Sequence, residues 1–145
     1  MTPRIIYLIK RAEVEVTYRM GKALEVYELT PIQYSVLYFI DLSKGDLSSA
    51  QLSRRFSMTP QSMYEVIQVL QRKKLLKKNV DPSHQRILRI SLTAKGKKIL
   101  ENCNEELDVL EENLLKDLST ADLNTLRNLI GTILETAREN IISEK

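Results

Sequence analysis

The sequence predicts a mainly α-helical protein with about six helices and one small β-hairpin. Apolar residues recur at three- and four-residue steps through most of the chain, which is the spacing of amphipathic helices. Over two short segments between residues 75 and 92, apolar and polar residues instead alternate, which is typical of paired strands. The 145 residues include only four Gly and four Pro, so the composition leaves little room for linkers and favours one folded unit.

The amino-terminal third predicts two helices. The first covers residues 5–27, where the helical spacing is continuous. Thr30 then begins a helix over 31–42, because Thr is a good N-cap, Pro31 suits the first turn and Gln33 completes a capping box. This second helix is apolar on most sides, so we expect it to be the most buried helix of the fold.

Two short helices follow. Ser48 and Gln51 form a second capping box at the start of a helix over 49–56, in which we expect Ala50, Leu52 and Phe56 to face the core. Thr59 and Pro60 repeat the Thr-Pro start of a further helix. Its apolar positions are spaced i, i+3, i+4 and i+7, at Met63, Val66, Ile67 and Leu70. Two short helices with a tight connection, the second with an amide-rich outer face, predict a helix-turn-helix. The second of them is then the recognition helix, the one that lies in the major groove.

A hairpin and two long helices complete the chain. Segments 75–80 and 87–92 predict two strands that are joined by the polar loop 81–86, and a hairpin directly after a helix-turn-helix is a wing. The long helices begin at Thr93 and at Ser119, where Asp122 caps the second. Cys103 falls in the apolar stripe of the first, so we interpret it as a buried structural residue.

Charge is distributed unevenly along the chain. Residues 48–98 contain twelve Lys or Arg and two acids, whereas the rest contains ten Lys or Arg and seventeen acids. The middle third therefore carries a net charge of +10, although the whole chain carries only +3. A basic module on an acidic scaffold predicts a polyanionic partner, double-stranded nucleic acid above all; the alternative is a solvated surface with uneven charge.

Several classes of function are excluded by what the sequence lacks. One His, one Cys, no glycine-rich phosphate loop and no paired carboxylate motif indicate that the protein is not an enzyme and holds neither a metal nor another cofactor. The first ten residues, with Arg4 and Lys10, form a run too short for a signal sequence or a membrane span. We therefore expect a cytoplasmic protein without a membrane partner.

Several short motifs accompany this order of elements. They are Leu29 to Tyr34 at the second helix, Met58 to Met63 at the start of the recognition helix, Leu70 with Leu75 and Leu76, then Asp81, Pro82 and Arg86 in the wing, and Ile90 to Gly96 at its exit. Together they resemble the multiple antibiotic resistance regulator (MarR) family over nearly the whole chain. The chain departs from the family pattern at Glu65, where Arg is common, at Lys74, where Gly is frequent, and at His84 and Gln85, where wings usually carry an acid and a second Arg.

The resemblance implies a single domain over 1–145, with a winged helix-turn-helix lobe at 30–98 and a dimerisation region at 1–29 and 99–145. It implies a sequence-specific DNA-binding regulator, expected to be a repressor, that binds a palindromic operator as a homodimer. The apolar faces of the first and last helices independently favour a dimer, since they exceed what one chain needs to cover its core. The alternatives are a winged-helix protein-interaction module and a regulator without a small-molecule effector.

The residues expected to contact DNA lie on the helix-turn-helix and the wing. They are Gln51, Arg54, Arg55, Thr59, Gln61, Ser62, Tyr64, Glu65, Gln68, Arg72, Lys77, Lys78, Ser83, His84, Gln85 and Arg86. The outer face of the recognition helix is expected to meet base edges, and the cations to bind phosphates. Arg86 is the candidate for the minor groove, with a surface ion pair to Asp81 as the alternative.

The resemblance also implies a small aromatic carboxylate or phenolic effector. Tyr and Arg residues of the first two helices suit such a ligand, because Arg binds carboxylates and Tyr stacks on rings. The candidate residues are Tyr7, Arg11, Tyr18, Arg19, Tyr34 and Tyr38.

Overall fold

The computed structural model describes residues 1–45, 47–84 and 86–143, and in these ranges the chain forms six α-helices and one antiparallel hairpin. The elements are α1 (Ile5–Leu24), α2 (Pro31–Leu42), α3 (Ser49–Arg55), α4 (Pro60–Arg72), β1 (Leu76–Val80), β2 (Leu88–Leu92), α5 (Ala94–Leu115) and α6 (Thr120–Ser143). The predicted fold class, mainly α with a small β-hairpin wing, is confirmed. None of the helices in the described ranges has the length and apolar content of a bilayer span.

The helix starts follow the capping residues of the sequence. The Thr30 hydroxyl accepts from the Gln33 N–H and the Gln33 side chain accepts from the Thr30 N–H, so the predicted capping box at α2 is confirmed. Ser48 and Gln51 form the same reciprocal pair at α3. Such caps satisfy the free N–H groups of a first helical turn and fix its position in the sequence.

The predicted end of the first helix is wrong by one turn. Regular α-helix stops at Leu24, and a short 3₁₀ turn covers Glu25–Tyr27. The break arises because Glu28 adopts the left-handed region at φ 55° and its N–H bonds to the Glu25 carbonyl. The predicted strand starts are also one residue early, since β1 begins at Leu76 and β2 at Leu88.

The chain divides into two compact units, Met1–Leu110 and Glu111–Lys145. The core of the first unit is made by one face each of the helices and the base of the hairpin. Its completely buried side chains are Leu24, Val36, Leu37, Ile40, Leu52, Met63, Ile67, Leu70, Ile90 and Cys103. The expectation that Ala50 faces this core is wrong: Ala50 is exposed, and the buried neighbour of Leu52 is Ser53, whose hydroxyl donates to the Ala50 carbonyl at 2.9 Å.

The base of the hairpin meets the start of α5 at Gly96. A Cβ on this glycine would lie 2.1 Å from the Leu75 carbonyl oxygen, so only a residue without a side chain fits. The same carbonyl accepts from the Thr93 N–H at 3.0 Å, and the Thr93 hydroxyl donates to the Lys74 carbonyl and accepts from the Gly96 N–H. This joint fixes where the wing leaves the core.

The second unit contains the end of α5 and the helix α6. Ser119 and Asp122 cap α6 reciprocally, as the sequence predicts. Leu123 and Leu126 are half-buried, whereas Leu129 and Leu134 remain more than half exposed in the single chain.

Candidate nucleic-acid interface

The helix α4 is fixed to the core by its apolar side and presents a polar side outward. Thr59 caps it by accepting from the Ser62 N–H at 3.1 Å, and Pro60 occupies its first turn. Ahead of this cap, Ser57 adopts φ 51°, and the Met58 N–H closes the end of α3 on the Ser53 carbonyl at 2.9 Å. This tight left-handed turn is the connection of the predicted helix-turn-helix.

The outward side chains of α4 are joined in pairs one helical turn apart. The Gln61 amide donates to the Glu65 carboxylate at 3.3 Å, and the Gln68 amide donates to the Tyr64 hydroxyl at 2.7 Å. Residues four apart share a helix face, so these pairs form a continuous polar strip. Thr59 and Ser62, also predicted to contact DNA, bond to each other at the start of the helix.

The wing is an antiparallel pair with Leu76 opposite Leu92 and Val80 opposite Leu88. At its tip the Asp81 carboxylate is almost fully buried, accepting from the Ser83 N–H at 2.8 Å and from Arg89 Nε at 2.9 Å. The Ser83 N–H and then Arg89 lower the pKa of Asp81. The alternative pairing of Asp81 with Arg86 is therefore wrong, because Arg89, which the sequence reading missed, takes that position.

Arg89 also links the wing to α3. Its Nη1 donates to Gln51 Oε1 at 3.1 Å, the oxygen that caps α3 by accepting from the Ser48 N–H at 2.8 Å. Gln51 was predicted to contact DNA, and the structure gives its carbonyl two internal partners. Because side chains alternate along a strand, Arg89 and Ile90 lie on opposite faces of the hairpin. Only the register in which β1 pairs with β2 shows that Arg89 reaches Asp81.

The predicted phosphate ligands are cations of the helix-turn-helix and the wing. Arg54, Arg72 and Lys77 are exposed on α3, α4 and β1. The Arg55 guanidinium lies 4.5 Å from the ring centroid of Phe39. The Lys78 ammonium lies 5.4 Å from the Tyr64 ring centroid, which joins the wing to α4.

The wing tip carries the remaining predicted contacts. Ser83, His84 and Arg86 are exposed there, while Gln85 lies outside the described residues. Arg86 borders a cleft of about 410 Å³ between the wing and the start of α3, with Ala50, Leu88 and Lys78 also on its walls.

The six predicted effector residues fall into two groups. Tyr7, Arg11, Tyr18 and Arg19 are exposed along α1, where Arg11 pairs with Glu15 at 3.8 Å. On α2, Tyr34 and Tyr38 stack with their ring centroids 5.8 Å apart.

The tyrosine pair lies beside a smaller cleft between α2 and α5. The Tyr34 hydroxyl donates at 2.8 Å to the side chain of Asn104, which lines this cleft of about 130 Å³ with Asp41, Lys97 and Glu101. No α1 side chain lines this cleft.

Two further groups bear on the chemistry of the chain. Cys103 is completely buried, and burial raises the pKa of its thiol to about 11, in agreement with a structural role. Within the described ranges, no group of three or more His, Cys, Asp or Glu side chains is placed to hold a metal ion.

The paired helices α3 and α4, followed directly by a hairpin, define a winged helix-turn-helix protein. A family model described as the MarR family matches residues 27–87, from the turn before α2 to the wing. Over this segment the chain is similar to the MarR family, and the relative YhbI is named as a transcriptional regulator.

Two named relatives show the same similarity over most of the chain. The chain is 26% identical over 136 residues to the uncharacterized HTH-type transcriptional regulator YhbI of Bacillus subtilis, covering 94% of this chain and 84% of that protein. It is also 26% identical over 124 residues to the HTH-type transcriptional repressor Rv2887 of Mycobacterium tuberculosis, covering 86% of this chain and 88% of that protein. The crystal structure of the S. aureus MepR–DNA complex shares the fold, with a TM-score of 0.79 over 92% of this chain and 96% of that chain at 21% identity.

Proposed function

We propose that this protein is a sequence-specific DNA-binding repressor of the bacterial cytoplasm, which binds a palindromic operator as a homodimer and is released by a small aromatic carboxylate or phenol. The observation that carries the proposal is the polar strip of Gln61, Tyr64, Glu65 and Gln68 on the outward side of α4, with the Lys78 ammonium of the wing 5.4 Å from the Tyr64 ring centroid. Amide side chains can read base edges in the major groove, and flanking Lys and Arg bind phosphates whatever the sequence.

The wing supplies a second contact in this proposal. Asp81 and Arg89 hold its tip, and the exposed Arg86 beside them can enter a narrow minor groove. The similarity in fold to MepR, which was crystallised with DNA, and the repressor name of the mycobacterial relative support this reading.

Selection of bound duplexes from random DNA tests the proposal. A two-fold dimer should select an inverted repeat whose half-site centres lie about 10 base pairs apart, since each lobe reads one half. Affinity should fall steeply with added salt, because Lys and Arg release counterions from the phosphates. Recovery of no common sequence would instead favour a winged-helix protein-interaction module.

Dimerisation rests on apolar side chains that a single chain leaves in water. On α1, Ile5, Ile6 and Leu8 are all at least half exposed, and α6 carries Leu129 at 58%. Burying such surface contributes about 25 cal/mol per Å². Leu129→Glu should therefore yield monomers in gel filtration coupled to light scattering. Asn124→Glu, at an exposed polar position of the same helix, should leave the dimer intact. A Leu129→Glu protein that stays dimeric would show that α6 is not part of the dimer interface.

The effector proposal rests on the stacked pair Tyr34 and Tyr38, whose Tyr34 hydroxyl bonds to Asn104 in the cleft between α2 and α5; the α1 arginines do not line that cleft. A phenolic acid that binds the DNA-free protein more tightly than the DNA-bound protein should raise the melting temperature of the DNA-free protein. By linkage, the acid should weaken operator binding by the same factor by which the operator weakens binding of the acid. A broad panel of phenolic acids that neither stabilises the protein nor releases operator DNA would show that no effector of this class exists.

A further inference from the structure

The ring of Tyr64 contacts both elements of the candidate DNA interface. On α4, the Tyr64 hydroxyl accepts a hydrogen bond from Gln68 Nε2 at 2.7 Å. From the wing, the Lys78 ammonium lies 5.4 Å from the centre of the same ring, within the range of a cation–π contact. Tyr64 is 43% exposed, so the cluster lies at the surface, where bases would be read.

The bond to Tyr64 restricts what the Gln68 amide can offer to a base. A glutamine amide has one carbonyl acceptor and two N–H donors. When Tyr64 takes one N–H, the carbonyl oxygen and the other N–H remain. Adenine presents a donor beside an acceptor in the major groove, whereas guanine presents two acceptors. The remaining acceptor and donor of Gln68 therefore match adenine, whereas a freely rotating amide can turn both N–H groups to guanine.

We propose that Tyr64 is a positioning residue for base readout, which orients the Gln68 amide and so makes the protein prefer adenine to guanine at one position of each half-site. The inference rests on the proposed DNA-binding function and adds to it the residue that sets one base preference. Lys78 holds the ring from the wing side, so the orientation of Gln68 depends on the wing being in place. On the same strip, the Gln61 amide donates to the carboxylate of Glu65 and not to a tyrosine.

The variant Tyr64→Phe isolates the hydroxyl, because it keeps the ring and its contact with Lys78. The base pair that Gln68 reads is identified first. It is the operator position at which the wild-type protein selects one base and the Gln68→Ala protein selects none. Duplexes with adenine or guanine at that position are then compared. The wild-type protein should prefer adenine by about fivefold or more. Tyr64→Phe should reduce this ratio towards one, while the unfolding midpoint shows that the fold is intact.

The double variant Tyr64→Phe with Gln68→Ala separates positioning from direct contact. If Tyr64 acts through Gln68, removing its hydroxyl has no further effect once the amide is gone. Tyr27→Phe, at a tyrosine outside the interface, is the matched control and should keep the adenine preference. An intact preference in Tyr64→Phe, or an equal loss of operator affinity with and without Gln68, would overturn the proposal. A wild-type protein that binds every duplex equally would overturn the proposed function as well.

Discussion

The substitution Gly96→Ala should destabilise the protein more than any ordinary helix substitution, because it pushes the wing root away from α5. The added Cβ would lie 2.1 Å from the Leu75 carbonyl oxygen and 3.0 Å from its carbonyl carbon, both backbone atoms. A relaxed C···O contact needs more than 3 Å, so the two segments must separate by roughly 1 Å. That movement stretches the 3.0 Å bond from the Thr93 N–H to the same oxygen.

The expected loss follows from three contributions. Overpacking costs about 1–3 kcal/mol and the weakened hydrogen bond about 1 kcal/mol, while replacing Gly by Ala in a helix returns up to about 1 kcal/mol. The free energy of unfolding should therefore fall by about 1–4 kcal/mol. Urea unfolding followed by circular dichroism, at one fixed protein concentration, measures this loss.

Gly21→Ala is the matched control for the same chemical change. Its Cβ would meet only Pro31 Cγ, at an ordinary 3.9 Å, so the substitution should stabilise α1 by up to about 1 kcal/mol. A Gly96→Ala protein as stable as the wild type would refute the reasoning, since it would mean that the joint between Leu75 and α5 adapts without cost.

Three further changes test single features of the structure. Lys74 adopts φ 60°, so Lys74→Gly should raise the free energy of unfolding by about 0.5–1 kcal/mol in urea titrations, and Lys74→Ala should not. The pKa of Asp81 is lowered in the fold, so its carboxylate stabilises the protein above the unfolded pKa, and this contribution is lost as pH falls through the folded pKa. Unfolding midpoints measured between pH 3 and 7 should therefore depend less on pH in Asp81→Asn than in the wild type. An unchanged pH profile would exclude this role of Asp81. With its pKa raised to about 11 by burial, Cys103 should react with a thiol reagent at pH 8 far more slowly in native than in urea-unfolded protein, whereas equal rates would contradict its burial.

Features set by neighbours in sequence could be predicted from the sequence alone. The caps at Thr30, Ser48, Thr59 and Ser119 each depend on a partner three residues away, so the helix starts followed directly from the residue types. The inward positions of α4 likewise follow from helical spacing, and the structure buries Met63, Ile67 and Leu70.

Features set by contacts across the fold could not be predicted in this way. Asp81 has both Arg86 and Arg89 within reach along the sequence, and only the strand register selects Arg89. The break after Leu24 depends on a backbone angle at Glu28, a residue with no intrinsic preference for that conformation. The contact between Lys78 and Tyr64 joins two elements whose relative placement is decided by the core beneath them.

Base readout by α4 and phosphate binding by the basic residues are tested most directly by one set of binding measurements. The affinity of each variant for the selected operator and for a scrambled duplex is measured at several salt concentrations. Gln61→Ala should weaken operator binding by about 1–3 kcal/mol with little effect on scrambled DNA, since it removes a base contact. Lys77→Gln should weaken both duplexes together and lower the salt dependence, whereas Lys116→Gln, outside the basic region, should do neither.

Arg86→Ala belongs in the same measurement and should lose most on operators with A/T-rich flanks, where the minor groove is narrow. Together, the three classes of variant should separate into loss of discrimination, loss of overall affinity and loss that depends on flanking sequence. If Gln61→Ala instead weakened operator and scrambled duplex equally, α4 would not be the element that reads the sequence.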